Sequence, residues 1–230
     1  MNSSVSTART AGALYLVVVL CGLFSLMYVP NKLIVWGDAA ATADRIMASE
    51  MLFRAGIMSG FICMTAFILL PLVLYRLLKE VNHACAALMV VFALISAPIS
   101  FLNLTNQFSM LQLLSDSEYL KAFDANQLHA LVMLSLNSYF AGDLIAQIFW
   151  GLWLLPFGVL VYRSGFLPRI LGVLLVIACF CYLFDSFART IFTGYGATAF
   201  ANYILLPSAI AELGICLWLL IIGIKPSTPR

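Results

Sequence analysis

Residues 166–190 read FLPRILGVLLVIACFCYLFDSFART. From Ile170 to Phe184 the run carries no charge, and it lacks the two-residue alternation of a barrel strand. Arg169 and Arg189 stand 20 positions apart, about 30 Å of α-helix, which matches the thickness of membrane hydrocarbon. The stretch therefore predicts a helix that crosses a bilayer, with Asp185 near one end of the crossing.

Five other runs have the same character: Ala11–Val29, Met51–Leu78, Ala84 to about Asn103, Leu128–Tyr162 and Phe200–Ile224. The fifth span itself runs from Phe166 to about Ala188. The fold class expected is all-α, a polytopic membrane protein with six transmembrane helices in one bundle forming a single domain over residues 1–230. Composition agrees. Of the 230 residues 63% are hydrophobic and 10% charged, too few charges for the polar surface of a soluble domain. A net charge of +2 on scattered basic residues excludes a nucleic-acid reader. Arg9 precedes the first span and Pro30-Asn31-Lys32 follows it, with no small-residue cleavage site, which reads as an uncleaved signal anchor.

Basic residues orient the spans. Arg9, Arg76, Lys79, Arg163, Arg169, Lys225 and Arg230 collect on one side, with Glu80 as its acid. Lys32, Arg45, Arg54, Lys121 and Arg189 collect on the other, among Asp38, Asp44, Glu50, Asp116, Glu118 and Asp124. The first side is the cytoplasmic one by the positive-inside rule, so both termini are expected in the cytoplasm and the chain in the inner (cytoplasmic) membrane. The inner loops, Lys79–His83 and Arg163–Arg169, are too short for a nucleotide site. The outer loops are longer. Gly37–Glu50 predicts a short helix capped by Asp38. The first half of Asn106–Asn126 predicts an amphipathic helix with Phe108, Leu111 and Leu114 on one face. Pro71, Pro98, Pro156 and Pro207 fall inside spans, where each can kink its helix. Leu70-Pro71 before Tyr75-Arg76 parallels Leu155-Pro156 before Tyr162-Arg163 and hints at two related hairpins.

The residues that point to function are those a bilayer should expel. Asp143, Asp185 and Glu212 lie within apolar runs, Arg54 and Arg189 lie near run ends, and Asn103 and Gln147 add neutral polar groups. A charge at the bilayer centre costs at least about 2.5–3.5 kcal/mol, so each needs a partner, water or neutralisation. Helical rise counted from the inner basic residues places Arg54, Asn103, Asp143 and Arg189 at the outer boundary. Asp185 falls about 6 Å deeper and Glu212 about 10 Å deeper. This predicts an outward-facing polar pocket with Glu212 at its floor and Arg54, Asn103, Asp143, Gln147, Asp185, Arg189 and Glu212 as ligand-binding residues. Asp143, Asp185 and Glu212 outnumber Arg54 and Arg189, so a shared cavity needs either a proton on Glu212 or a bound cation.

No catalytic motif stands in the chain. His83 and His129 fall on opposite membrane sides, which argues against an intramembrane haem, and neither metal nor cofactor is expected. The six cysteines lie in or at the start of apolar runs and read as small buried side chains.

Several stretches together resemble a known family: TARTAGALYL (7–16), GDAAATA (37–43), SEMLFR (49–54), YRSGFLPRILG (162–172), YLFDSF (182–187) and AELG (211–214). In this order they are similar to the prokaryotic integral membrane family catalogued as domain of unknown function 4386, along nearly the whole chain. The resemblance implies a small helical membrane protein and supplies no catalytic residue. Glu50, Arg54, Asp185 and Glu212 fall in the matching stretches.

Three functions fit these residues. One is binding or transport of a small polar or amphiphilic ligand, a small molecule or a lipid. The second is a structural or accessory subunit of a membrane complex. The third is an intramembrane enzyme, which rests only on the three carboxylates.

Overall fold

The structure is a computed structural model and describes residues 2–224. Among these residues six helices are long and apolar enough to cross a membrane: Ser4–Leu33, Glu50–Leu78, His83–Leu113, Ala125–Ser164, Arg169–Ile191 and Ala199–Ile222. The secondary structure is helix and turn, without strands among the described residues. This is a multi-pass helical membrane protein. Its exposed apolar side chains, among them Leu20, Met58, Ile62, Leu102, Ile170, Phe180 and Ile221, lie along the helix flanks, where acyl chains are the solvent.

The first span is α1 (Asn2–Leu23), a π turn over Phe24–Tyr28, and α2 (Val29–Leu33). Sequence ended this span at Val29 because proline follows. The helix instead absorbs Pro30. The Val29 amide bonds to the carbonyl of Phe24, five residues back, and this register shift accommodates a residue that cannot bond four residues back. After α2, the Thr42 hydroxyl receives the Val35 amide at 3.0 Å and donates to Asp38 O at 2.8 Å. That contact ties the loop to α3 (Ala39–Ala48), whose N-cap Asp38 accepts from the Ala41 amide at 2.9 Å, as the sequence predicts.

The second span is α4 (Glu50–Leu78), and the third is α5 (His83–Asn103) continued by α6 (Thr105–Leu113). Pro71 and Pro98 sit inside α4 and α5. The face of α6 that packs inward carries Gln107 and Met110, while Phe108 is exposed. Of the expected Phe108–Leu111–Leu114 face, Leu111 and Leu114 pack against the core of this end while Phe108 does not, and the helix extends the third span outward.

The fourth span is α7 (Ala125–Leu152) and α8 (Leu154–Ser164), separated by one non-helical residue, Trp153. Asp124 and Gln127 form a reciprocal capping box at its start. Pro156 lies in the first turn of α8, where a missing N–H costs little. Pro71, by contrast, is in a helix interior, so the two supposed hairpins differ at the residue that suggested their kinship. The fifth span, α9 (Arg169–Ile191), starts three residues later than expected. Gly165 at φ +73° ends α8, and the Ser164 hydroxyl takes the Leu167 amide at 3.1 Å, which holds Phe166 and Leu167 in the turn. The last span comprises α10 (Ala199–Tyr203), α11 (Leu206–Leu217) and a second π turn over Trp218–Ile222. Pro207 again opens a helix. Of the basic residues used to orient the chain, Lys225 and Arg230 lie outside the described residues.

The two ends of the bundle differ. At the end with the short Lys79–Asn82 and Gly165–Pro168 connections, every span contributes to one apolar core, including Tyr15, Leu70, Leu74, Met89, Trp153, Phe157, Leu175 and Ile215. Helices meet backbone to backbone there. A β-carbon on Gly158 would stand 2.6 Å from the Gly172 carbonyl oxygen, and one on Gly172 2.7 Å from that of Gly158. Close approach of this kind drives helix association in lipid, where burial from water supplies little. The loop-rich end has a smaller core around Val29, Ile46, Phe53, Met110 and Leu136, and leaves space between the spans. All six cysteines are free.

Candidate functional site

The space at the loop-rich end is a cavity of about 470 Å³ lined by Leu26, Trp36, Phe140, Asp143, Leu144, Gln147, Trp150, Asp185, Arg189 and Leu205. Its volume falls in the range of small-molecule sites. Positions 140, 143, 144, 147 and 150 recur at helical spacing, so one face of α7 forms a wall. Trp36 is 66% exposed, packs on Phe140 with ring centroids 5.2 Å apart, and stands at the rim.

Asp185, in the second turn from the end of α9, is 1% exposed. Its Oδ2 accepts from Arg189 Nε at 2.9 Å and from Gln147 Nε2 at 3.0 Å. The Arg189–Asp185 pair is the i, i+4 arrangement read from sequence. Across it, the Arg189 guanidinium lies 5.7 Å from the ring of Tyr195. Oδ1 of Asp185 and the Tyr195 hydroxyl are both buried without a hydrogen bond of good geometry, and burial followed by the Asp185 charge raises the Tyr195 phenol above its ordinary pKa. Asp185 thus has one oxygen fixed by Arg189 and Gln147 and the other buried beside Tyr195.

Asp143 is held differently. Asn103 Nδ2 donates to Asp143 Oδ1 at 3.0 Å and to the Tyr139 carbonyl at 2.8 Å, and Asn106 Nδ2 donates to Asn103 Oδ1 at 3.0 Å. The Tyr139 side chain is a second neutral hydrogen-bond partner of Asp143. Asn103 reaches α7 because Gly142 leaves room: a β-carbon at 142 would collide with the Asn103 amide.

Glu212 occupies a second, deeper chamber of about 120 Å³, lined by Val18, Gly22, Leu26, Cys63, Met64, Phe67, Trp150, Trp153, Tyr182 and Glu212 itself. Tyr15 donates to its Oε2 at 2.9 Å and Tyr182 to its Oε1 at 3.0 Å. Tyr182 precedes Asp185 by three residues on α9, so the chamber lies about 4.5 Å further along the helix than the Asp185 site. Gln147 joins the levels, since its amide also donates to the Tyr182 carbonyl at 3.3 Å. Leu26 and Trp150 line both spaces and form the partition between them. Leu26 belongs to the π turn ahead of Pro30.

Of the residues singled out by sequence, the structure brings Asp143, Gln147, Asp185 and Arg189 to one cavity, sets Asn103 behind Asp143, and places Glu212 in the adjoining chamber. Arg54 does not join them. It pairs with Glu50 at 2.6 Å, about half exposed, in a separate small cleft with Ile46, Leu111 and Ser115. The earlier charge count thus changes. The outer cavity holds two carboxyl groups and one guanidinium, and the chamber one carboxyl group with no ion-pair partner among the described residues. The sequence reading missed Tyr15, Tyr139, Tyr182, Leu26, Trp36 and Trp150. Tyr182 had a signal: it is a phenol donor within an apolar run, 13 residues from Arg169 as Glu212 is from Lys225, whereas Tyr15, six residues from Arg9, has no matching count. Leu26 had none, because its inward turn depends on the π register. Among the described residues no three His, Cys, Asp or Glu side chains cluster as a metal site would require.

The profile of a family described as "Domain of unknown function (DUF4386)" matches residues 10–223. A curated relative from Archaeoglobus fulgidus, named "Uncharacterized protein", is 37% identical over 83 residues, which are 36% of this chain and 47% of the relative. The chain thus spans about half the length of the curated relative it matches. No solved structure matches the chain.

Proposed function

For a chain that belongs to the family described as Domain of unknown function (DUF4386), we propose that the function is to bind, or carry, a small polar or amphiphilic ligand in the 470 Å³ cavity. The observation that carries this reading is the mixed lining. Asp143, Gln147, Asp185 and Arg189 supply fixed charges and amides, while Leu26, Phe140, Leu144, Trp150 and Leu205 supply apolar walls. Few polar groups on mostly apolar walls are the usual composition of ligand sites. The loop-rich end faces outward in this proposal, both termini lie in the cytoplasm, and the membrane is the inner one. Its support is the basic bias of the short-loop end, with Arg76, Lys79, Arg163 and Arg169 flanking the two short connections.

Two other readings have specific support. The Arg189–Asp185–Gln147 contacts are complete without a ligand on one carboxylate oxygen, as an accessory subunit with a purely structural layer would have them. Asp143 and Asp185 also share a cavity, as an acid–base pair would, but Arg189 holds Asp185 as a counter-ion. Native mass spectrometry of the detergent-purified protein separates these. Binding predicts a retained molecule that is lost in Arg189→Gln and Gln147→Leu and kept in Arg54→Gln. A protein that retains nothing, or retains it equally in all three variants, overturns the proposal. A reporter fused after residue 230 tests the orientation, and periplasmic activity of that fusion would contradict it.

A further inference from the structure

The deeper chamber has a chemistry of its own. We propose that it binds the head of an organic cation, a small quaternary or substituted ammonium group. The inference rests on the ligand-binding reading of the outer cavity, with which the chamber shares Leu26 and Trp150 as lining.

Three observations meet here. First, the walls are aromatic: Phe67, Trp150, Trp153 and Tyr182 all line the chamber. Aromatic faces attract cations through their quadrupoles, with tryptophan the strongest, and such cages are the recurrent receptors for alkylated ammonium groups. Second, the polar group in the chamber is a carboxyl held by neutral donors. Tyr15 and Tyr182 each donate to a different oxygen of Glu212, which fixes its orientation, and no lysine, arginine or histidine among the described residues pairs with it. A carboxyl group in an apolar span needs a proton or a compensating charge, and a bound cation supplies the second. Third, size discriminates. At about 120 Å³ the chamber is a quarter of the outer cavity and too small for a drug-sized molecule, which needs about 300 Å³ or more. The remaining donors and the guanidinium stand in the outer cavity, so a larger ligand would leave its polar remainder there, beside Arg189 and Gln147.

The helix breaks at Trp153, and its ring is held by Phe157, stacked at 5.2 Å, and by Phe67, which also lines the chamber and meets it edge-on at 5.2 Å. The wall is therefore rigid and needs no ordering when a cation enters.

Isothermal titration of the purified full-length protein with choline, and with its neutral isostere 3,3-dimethylbutan-1-ol, tests the assignment. Choline should bind saturably and the alcohol roughly tenfold or more weakly. Glu212→Gln should weaken choline by a similar factor with its unfolding temperature measured in parallel. Leu26→Trp, which fills the partition without touching the carboxyl, should abolish choline binding and serves if Glu212→Gln does not fold. Equal binding of the two probes, no choline binding, or unchanged choline affinity in either variant overturns the proposal. If choline fails while an Arg189-dependent molecule is still retained, the chamber assignment falls and the outer site stands. If choline binds and nothing is retained in the outer cavity, the outer reading falls instead.

Discussion

The two ends of the bundle solve opposite problems with the same six spans. At the short-loop end, glycines at 158 and 172 let α8 and α9 touch along their backbones, and Trp153, Phe157, Leu70 and Leu74 fill the centre with almost no exposed surface. At the loop-rich end the spans separate, and the space holds charged and amide side chains facing a cavity. Packing in lipid comes from contact rather than from expulsion of water. A bundle can therefore leave one end open only if the other end is dense. Stability should concentrate in the first region and ligand handling in the second.

The harshest way to break that division is Gly158→Leu. Its side chain must enter the space of the Gly172 carbonyl, and the expected cost exceeds about 4 kcal/mol, enough to abolish a monodisperse peak in detergent chromatography. A normal peak would mean the backbones are not in contact. Trp153→Ala comes next. It opens a void at the junction of core and chamber and should cost about 3–5 kcal/mol, read as a lower unfolding temperature, while Arg189-dependent retention in the outer cavity survives.

Substitutions in the open half sharpen the contrast from the other side. Arg189→Gln leaves Asp185 with only Gln147 as a partner, and Asp185→Asn leaves Arg189 without its counter-ion. A double-mutant cycle on unfolding free energy should show a coupling of about 1–2 kcal/mol, and a coupling near zero would mean the pair is not formed. Gly142→Ala should displace Asn103 from Asp143, cost about 1–3 kcal/mol through the buried hydrogen bonds lost, and reduce ligand retention; full retention would remove Asn103 from any supporting role. The smallest effect belongs to Glu50→Gln. Its pair with Arg54 is about half exposed, so stability should change by less than about 0.5 kcal/mol with retention unaltered. A large loss of bound molecule there would move the site toward the Glu50 cleft.

How much could be read beforehand follows from what each feature depends on. Depth along a helix is a linear count, so the shared level of Asn103 and Asp143 and the greater depths of Asp185 and Glu212 were legible. Local pairs at i, i+4, Asp185 with Arg189 and Glu50 with Arg54, were legible for the same reason. The azimuth of a side chain around a bundle is not linear in sequence. Arg54 shares the expected depth but projects toward α3 and α6, away from the cavity, because the adjoining faces of α4 serve α1 and α5 instead. Phe108 failed similarly, since it does not pack against the core that Leu111 and Leu114 join.

Composition and run length by themselves determined that this chain is an all-helical membrane protein with six spans, because hydrocarbon accepts only a backbone that satisfies its own hydrogen bonds over about 20 residues. Tertiary structure alone decided that Asp143 receives an amide and a phenol and Glu212 two phenols. Tyr15 and Glu212 are 197 positions apart, and their meeting depends on how the first and last spans rotate against each other. Gly12, where a β-carbon would collide with the Leu220 backbone, lets these two spans meet, and that is a matter of packing which no count along the chain contains.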